Sequence, residues 1–316
     1  MSDRNKLILL GIISLIGCAL YLGHGLNADN YQYFLSRRIP KVIAMILASF
    51  AIAQSSLVFQ TITHNRILTP SIMGFDALFL LTQVIIVLLF GGMSQWLLND
   101  YLNFSVSMVV MMAFSVTLFG FYFHKERRNI LVLLLIGVIF GQFFYDMGNL
   151  IIMVLSPNDF FSVQEKMFAS FNNVNTEIVY LCVLPLLIAS ILLWRIHHTL
   201  DVFWLDKDNT ISLGVDPKRT TRYVMLVSSV LIAISTAVVG PILFFGILVT
   251  NLTREIFSTY RHKTLLIGCS LLSVSVVLAG QWVVERVLQF DTTLSVIINF
   301  VGGIYFLILL SRNKVV

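Results

Sequence analysis

The chain has 316 residues, 58% of them hydrophobic and 12% charged, with a formal net charge of +5. A soluble domain carries about 25% charged residues, so composition excludes one. Short alternating apolar–polar segments are absent, which excludes a membrane β-barrel. What remains is an all-α, polytopic membrane protein, whose charge speaks of topology and not of nucleic acid.

A spanning helix needs about 20 mostly apolar residues, and ten segments of the chain read as spans. The first, 7–24, follows "MSDRNK". No small-residue cleavage site comes after it, so it reads as a retained span and not as a removed signal. "RRIPK", Arg37–Lys41, leads into the second span at 40–60. "FQTITHNRILTPSIMG" at 59–74 turns the chain into the third, 75–92, with Asp76 near its start. The fourth covers 104–123 and the fifth 129–155. The fifth carries the one ionisable group deep in a span, Asp146. Gln142, Asp146 and Asn149 recur at spacings of four and three, which places them on one helix face. Two readings of Asp146 stand: it lines a hydrated cavity, or it bonds to a neighbouring helix.

A loop at 156–175 precedes the sixth span, 176–194. The next connection, 195–220, is mixed in charge and helix-compatible on both sides of Gly214. The seventh span, 221–239, is parted from the eighth, 241–258, by Gly240 and Pro241. Proline suits a first helical turn, so the break can end one helix and open the next. The ninth is 264–284, and the tenth, 293–311, holds Asn299, Gly302 and Gly303.

Ten alternating spans with the N-terminus inside leave both termini cytosolic. Of the 21 Lys and Arg residues, only Arg37, Arg38, Lys41, Lys166 and Arg286 then lie outside. Cytoplasmic loops are the ones enriched in Lys and Arg, so the count supports this orientation. The outside exceptions then ask for a reason.

No G-x-x-x-x-G-K-[ST] loop is present, so the chain does not hold ATP in that way. Cys18, Cys182 and Cys269 lie in apolar runs at no metal-ligand spacing, and the six histidines sit at span ends or in loops. Neither a metal site nor a nucleophile constellation is expected. A proton-driven carrier would carry more carboxylates within its spans. The chain reads as a subunit that supplies a path while another chain supplies the energy. The competing readings are a secondary transporter and a membrane-embedded enzyme or scaffold.

Four stretches resemble the permease subunits of the type II binding-protein-dependent ABC importers, the iron-siderophore and cobalamin (FecCD-type) group. "RRIPK" resembles the family's Arg-Leu-Pro-Arg entry to the second span. In "FQTITHNRILTPSIMG", Gln60, Asn65, Pro70 and Gly74 stand in register with its turn motif. "WLDKDNTISLGV", 204–215, is similar to its coupling segment, and "GPILFFGILVTNLTR", 240–254, to its Gly-Pro-Ile-x-Phe-x-Gly segment. The last span, "SVIINFVGGIYFLILLSR", fits as well. Arg66, Asn251, Lys41, Asp206 and Lys207 depart from the family's residues at their positions. Among branches, the chain looks most like permeases for iron bound by catecholate-type siderophores, petrobactin- or anguibactin-like.

The resemblance implies one permease domain over 1–316 in a bacterial cytoplasmic membrane. It implies a second permease subunit (a heterodimer first, a homodimer second), two cytosolic ATPases that hold ATP and Mg, and an extracytoplasmic binding protein. This chain would bind no cofactor itself. Iron–siderophore is the implied cargo, with heme or cobalamin as the alternative. Residues 200–218 would form the coupling loop. There Leu205, Leu213 and Val215 would fill an ATPase groove, Asp206, Asp208 and Lys218 would fix register, and Gly214 would turn the chain. Outside, Arg37, Arg38, Lys41 and Arg286 would meet acidic residues of the binding protein, or else anchor to lipid headgroups. Gln142, Asp146, Asn149, Asn299, Gly302 and Gly303 would line the path, although the glycines equally suit close helix packing.

Overall fold

A computed structural model describes residues 2–27, 31–123, 130–205 and 207–311. They form α1 (Asp3–Gly23), α2 (Tyr31–Thr63), α3 (Phe75–Phe90), α4 (Gln95–Leu98), α5 (Asp100–Phe123), α6 (Ile130–Ile152) and α7 (Pro157–Met167). There follow α8 (Thr176–Arg195), α9 (His197–Phe203), α10 (Lys207–Ser212), α11 (Pro217–Val239), α12 (Phe245–Ile256), α13 (His262–Arg286) and α14 (Leu294–Ser311). Each of the ten apolar segments coincides with one helix. Seven are long and apolar enough to cross a membrane: α1, α2, α5, α6, α8, α11 and α13.

The eighth segment differs from its expectation. Its helix, α12, has 12 residues and at 1.5 Å per residue covers roughly 18 Å, short of a bilayer core of about 30 Å. The preceding stretch, 240–244, is not helical. Gly240 has φ +94, and a Cβ there would lie 2.9 Å from the Ala169 backbone. Unwound backbone at membrane depth must find its hydrogen bonds inside the protein. Two bonds brace the break here: Ser170 N donates to the carbonyl of Val239, the last residue of α11, at 2.9 Å, and within the stretch Phe244 N donates to Asn299 Oδ1 at 3.4 Å. A similar device precedes α3. There Gly74, with φ +97, would press a Cβ to 2.7 Å from Gly141 of α6.

Helix α2 is the centre of the bundle. It packs on α8, α11, α12 and α13, and nearly all its residues after Pro40 are buried. Small residues, among them Ala44, Ala48, Ala51 and Ala53, let neighbouring backbones approach closely, which is what association in lipid requires. Gln54 joins three helices. Its Nε2 donates to Ser270 Oγ at 3.0 Å, and its Oε1 accepts from Ser190 at 2.7 Å. Such bonds contribute on average about 0.6 kcal/mol each, so they set register more than they supply stability. Helices α1, on α13, and α6, on α3, lie at the margin.

Candidate functional site

Three regions hold the residues singled out from the sequence: the rim expected to face outward, called the outer rim, the α6 and α14 faces, and the surface expected to face the cytosol, called the inner surface. At the outer rim, α2 begins well before the apolar run, so Arg37 and Arg38 sit on a helix. Arg37 is exposed and lies over the Tyr33 ring at 5.3 Å. Arg38 is engaged within the chain. Its Nη1 donates to Leu22 O at 3.1 Å and His24 O at 2.6 Å, and its guanidinium sits over Phe34 at 4.9 Å. These carbonyls end α1, which would otherwise lack partners, and a cation also suits that end of the helix dipole.

Glu285, an ionisable residue near the end of α13, was not among the candidate site residues. Its Oε1 accepts from Tyr21 OH at 2.5 Å and from Gln281 Nε2 at 2.9 Å. Arg38 and Arg286 both act electrostatically on Tyr21, and Glu285 acts on Lys41. Lys41 of α2 thus lies within electrostatic reach of Glu285 on α13, and Arg37 and Arg38 lie within reach of Lys41. Arg37 and Arg286 are exposed, while Arg38 and Lys41 are half-buried.

The path candidates fall into two groups that the single chain does not bring together. Helix α6 packs on α3 and on the 3-10 turn Ser71–Met73 before it, and its glycine side meets that turn: a Cβ on Gly137 would sit 2.7 Å from Met73. The opposite face exposes Gln142 and Asp146, and Asn149 is half-buried. Gln142 Nε2 donates to Asp146 Oδ1 at 2.9 Å. Among the described residues Asp146 is thus bonded within its own helix, on an open face. On α14, Asn299 accepts from Phe244 N, and Gly302 is buried where a Cβ would lie 2.6 Å from Phe244 Cβ. Both are packing residues for the unwound stretch. Gly303 has open space where a side chain would be. Helix α14 packs on α12 and α13.

At the inner surface, α9 and α10 make a compact step. Thr210, buried, donates to Val202 O at 3.3 Å, and Val215 N donates to Thr210 O at 3.1 Å. Gly214, with φ +81, turns the chain. Asp216 then caps α11, accepting from Lys218 N at 2.9 Å and Arg219 N at 3.3 Å. Leu205, Ile211 and Leu213 stand 57%, 54% and 60% exposed, and Lys218 is exposed as well. Val215 is half-buried. Ile211 was not foreseen; its place in the helical turn before Leu213 was the available signal. Asp206 and the side chain of Asp208 lie outside the described residues.

This step is tied to the membrane helices. Asp201 of α9 accepts from His262 N at 2.6 Å and from its Nδ1–H at 2.8 Å. His262 Nε2 meets the Thr61 hydroxyl of α2 at 2.8 Å. Partial burial pushes the Asp201 carboxyl up, but the His262 bonds outweigh it and hold the group below its ordinary value. Trp204, which ends α9, lies under Arg254 of α12 at 4.5 Å and stacks with His64 at 6.4 Å. His197 and His198 have ring centroids 3.9 Å apart. Among the described residues no group of three or more His, Cys, Asp and Glu could hold a metal ion.

Comparison with known proteins places this geometry. A model of the FecCD transport family matches residues 7–312. The petrobactin import system permease protein YclO of Bacillus subtilis is 44% identical over 315 residues, covering 99% of each chain. The petrobactin import system permease protein FatC of Bacillus anthracis is 29% identical over 309 residues, covering 98% of this chain and 87% of that one. A solved metal-chelate type ABC transporter in an inward-facing conformation superposes with a TM-score of 0.84, over 98% of this chain and 100% of that chain. At 22% identity that likeness concerns the fold.

Proposed function

The chain belongs to the FecCD transport family, and on that premise we propose that it is a permease subunit of a binding-protein-dependent ABC importer for a ferric catecholate-type siderophore such as petrobactin. The observation that carries the cargo is the 44% identity to a petrobactin permease across 99% of both chains. The chain is then a conduit and not an enzyme. ATP and Mg belong to two partner ATPases, and no cofactor belongs to this chain. It forms one permease domain, set in the cytoplasmic membrane with both termini in the cytosol.

In this reading the α9–α10 step seats an ATPase. Leu205, Ile211 and Leu213 enter its groove as apolar anchors, and Lys218 sits at the rim. Gly214 and Val215 shape the turn, with Asp206 and Asp208 as polar flanks. A binding protein carrying the cargo docks outside on Arg37 and Arg286, beside Lys41 and Arg38. A sister permease packs against the open face of α6, which puts Gln142, Asp146 and Asn149 along the path between the subunits. Asn299, Gly302 and Gly303 shape the α14 wall. ATP binding closes the ATPase pair and moves the two seated steps, a rigid-body switch biased by nucleotide.

Uptake of a panel of labelled ferric chelates by a strain deleted for this gene tests the cargo. Loss of ferric petrobactin uptake, restored by the gene, is expected. Unchanged petrobactin uptake with loss of heme or cobalamin uptake would overturn it.

A further inference from the structure

The short helix α12 is unlike the long spans in that both of its ends meet something functional. Its inner end carries Arg254, whose guanidinium lies 4.5 Å over the Trp204 ring. Trp204 ends α9 and directly precedes Leu205, the first of the step's exposed apolar residues. Arg254 Nη2 also donates to Thr61 Oγ1 at 3.4 Å, while its buried Nε has no partner. Its hold is therefore largely the ring face, which tolerates sliding better than a bidentate pair.

The outer end abuts Phe244. This residue meets α14 three ways: its N–H on Asn299, its Cβ against Gly302, and its ring 6.0 Å from Phe306. Between the ends, Phe245, Ile247, Val249, Thr250 and Thr253 are fully buried, so the helix is clasped along its length. Beyond Phe244 the chain is unwound to Gly240, whose φ of +94 and contact with Ala169 fix one point. A rigid rod of 12 residues, roughly 18 Å long, thus joins the inner step to α14 and is linked to α11 only through unwound backbone.

We infer that α12 is the lever of the subunit, carrying displacement of the α9–α10 step to the α14 wall, with Trp204–Arg254 as its inner joint and Phe244 as its outer joint. Trp204, Arg254 and Phe244 are positioning residues and touch neither cargo nor nucleotide. The inference rests on the reading of α9–α10 as an ATPase seat. Contiguity by itself does not show coupling; what it supplies is a discrete element that two sites can both bias.

The test uses the full complex in liposomes: both permeases, the ATPases and the binding protein. Trp204→Leu removes the ring under Arg254, and Phe244→Ala removes the outer contact. Each should leave ATP hydrolysis near wild type while cargo moved per ATP falls about tenfold, a coupling loss of ordinary size. Trp204→Phe, which keeps a ring face, should restore most of the ratio. Spin labels at Val301 on α14 and Leu184 on α8 should report a nucleotide-dependent distance change in the parent protein that Trp204→Leu abolishes. A wild-type cargo ratio in both variants, or an unaltered distance change in Trp204→Leu, would overturn the lever. Absence of ATP-driven uptake in the unmutated complex would instead remove the importer reading, and the lever with it.

Discussion

The two ends of the molecule present opposite chemistry. The outer rim carries Arg37, Arg38 and Lys41 on α2 and Arg286 on α13, with Arg37 and Arg286 exposed. The inner step exposes Leu205, Ile211 and Leu213 on a frame anchored by Asp201, His262, Thr61 and Trp204. Charge at an exposed rim governs encounter rate and orientation and fades with salt. Apolar anchors in a groove give lasting contact that salt barely touches. The proposed function, with transient docking of a delivery protein at one end and lasting attachment of an ATPase at the other, calls for this asymmetry.

The largest effect should come from charging the inner step. Leu213→Asp should weaken ATPase association by roughly 2–4 kcal/mol, about 30- to 1,000-fold. Pull-down of the ATPase at low and high salt measures it, and a loss that salt reverses would contradict an apolar seat.

Next is the frame beneath. His262→Ala leaves the Asp201 side chain and the Thr61 hydroxyl without it, and should cost about 1–3 kcal/mol of stability. Thermal unfolding in detergent should show the drop without a change in cargo preference. Acid probes the same contact. A carboxyl held below its unfolded value of about 3.9 adds stability above that pH and loses it as pH falls through the folded value. Wild type should therefore lose more stability than Asp201→Asn on acidification below about pH 4.

Smaller still is the outer rim. Arg37→Glu with Arg286→Glu should slow binding-protein association about tenfold at low salt, and little at 0.5 M salt. Equal rates at low salt would leave lipid headgroups as their partner. Smallest is Arg38→Gln, which should lower stability by about 1 kcal/mol through the α1 end and leave docking rates unchanged. A docking defect as large as that of Arg37 would contradict the assignment of Arg38 to α1.

The sequence made the spans legible because apolar run length is a direct consequence of burial in lipid. It failed at 241–258 for a definite reason. Pro241, Ile242, Leu243 and Phe244 are as apolar as any helix, and the partners that brace the break, Ser170 and Asn299, come from distant segments. Arg38 was read alongside Arg37 because adjacent cations look alike until the acceptors are known. Its acceptors are carbonyls at the end of α1, and no pattern encodes them. Residues 204–215 were picked out by their resemblance to a coupling segment, yet the fastening of this stretch was not foreseen: Asp201, Trp204, Arg254 and His262 are scattered over three helices and the residue that ends α9. Gln142 and Asp146 were placed on one face by spacing alone, and that face is open.

The most direct measurement is uptake of labelled ferric petrobactin by liposomes holding the complete complex, with internal and external ion gradients collapsed. ATP-dependent accumulation that requires the binding protein and disappears with Leu213→Asp is the predicted result. Accumulation driven by a proton or sodium gradient without the ATPases would contradict the account.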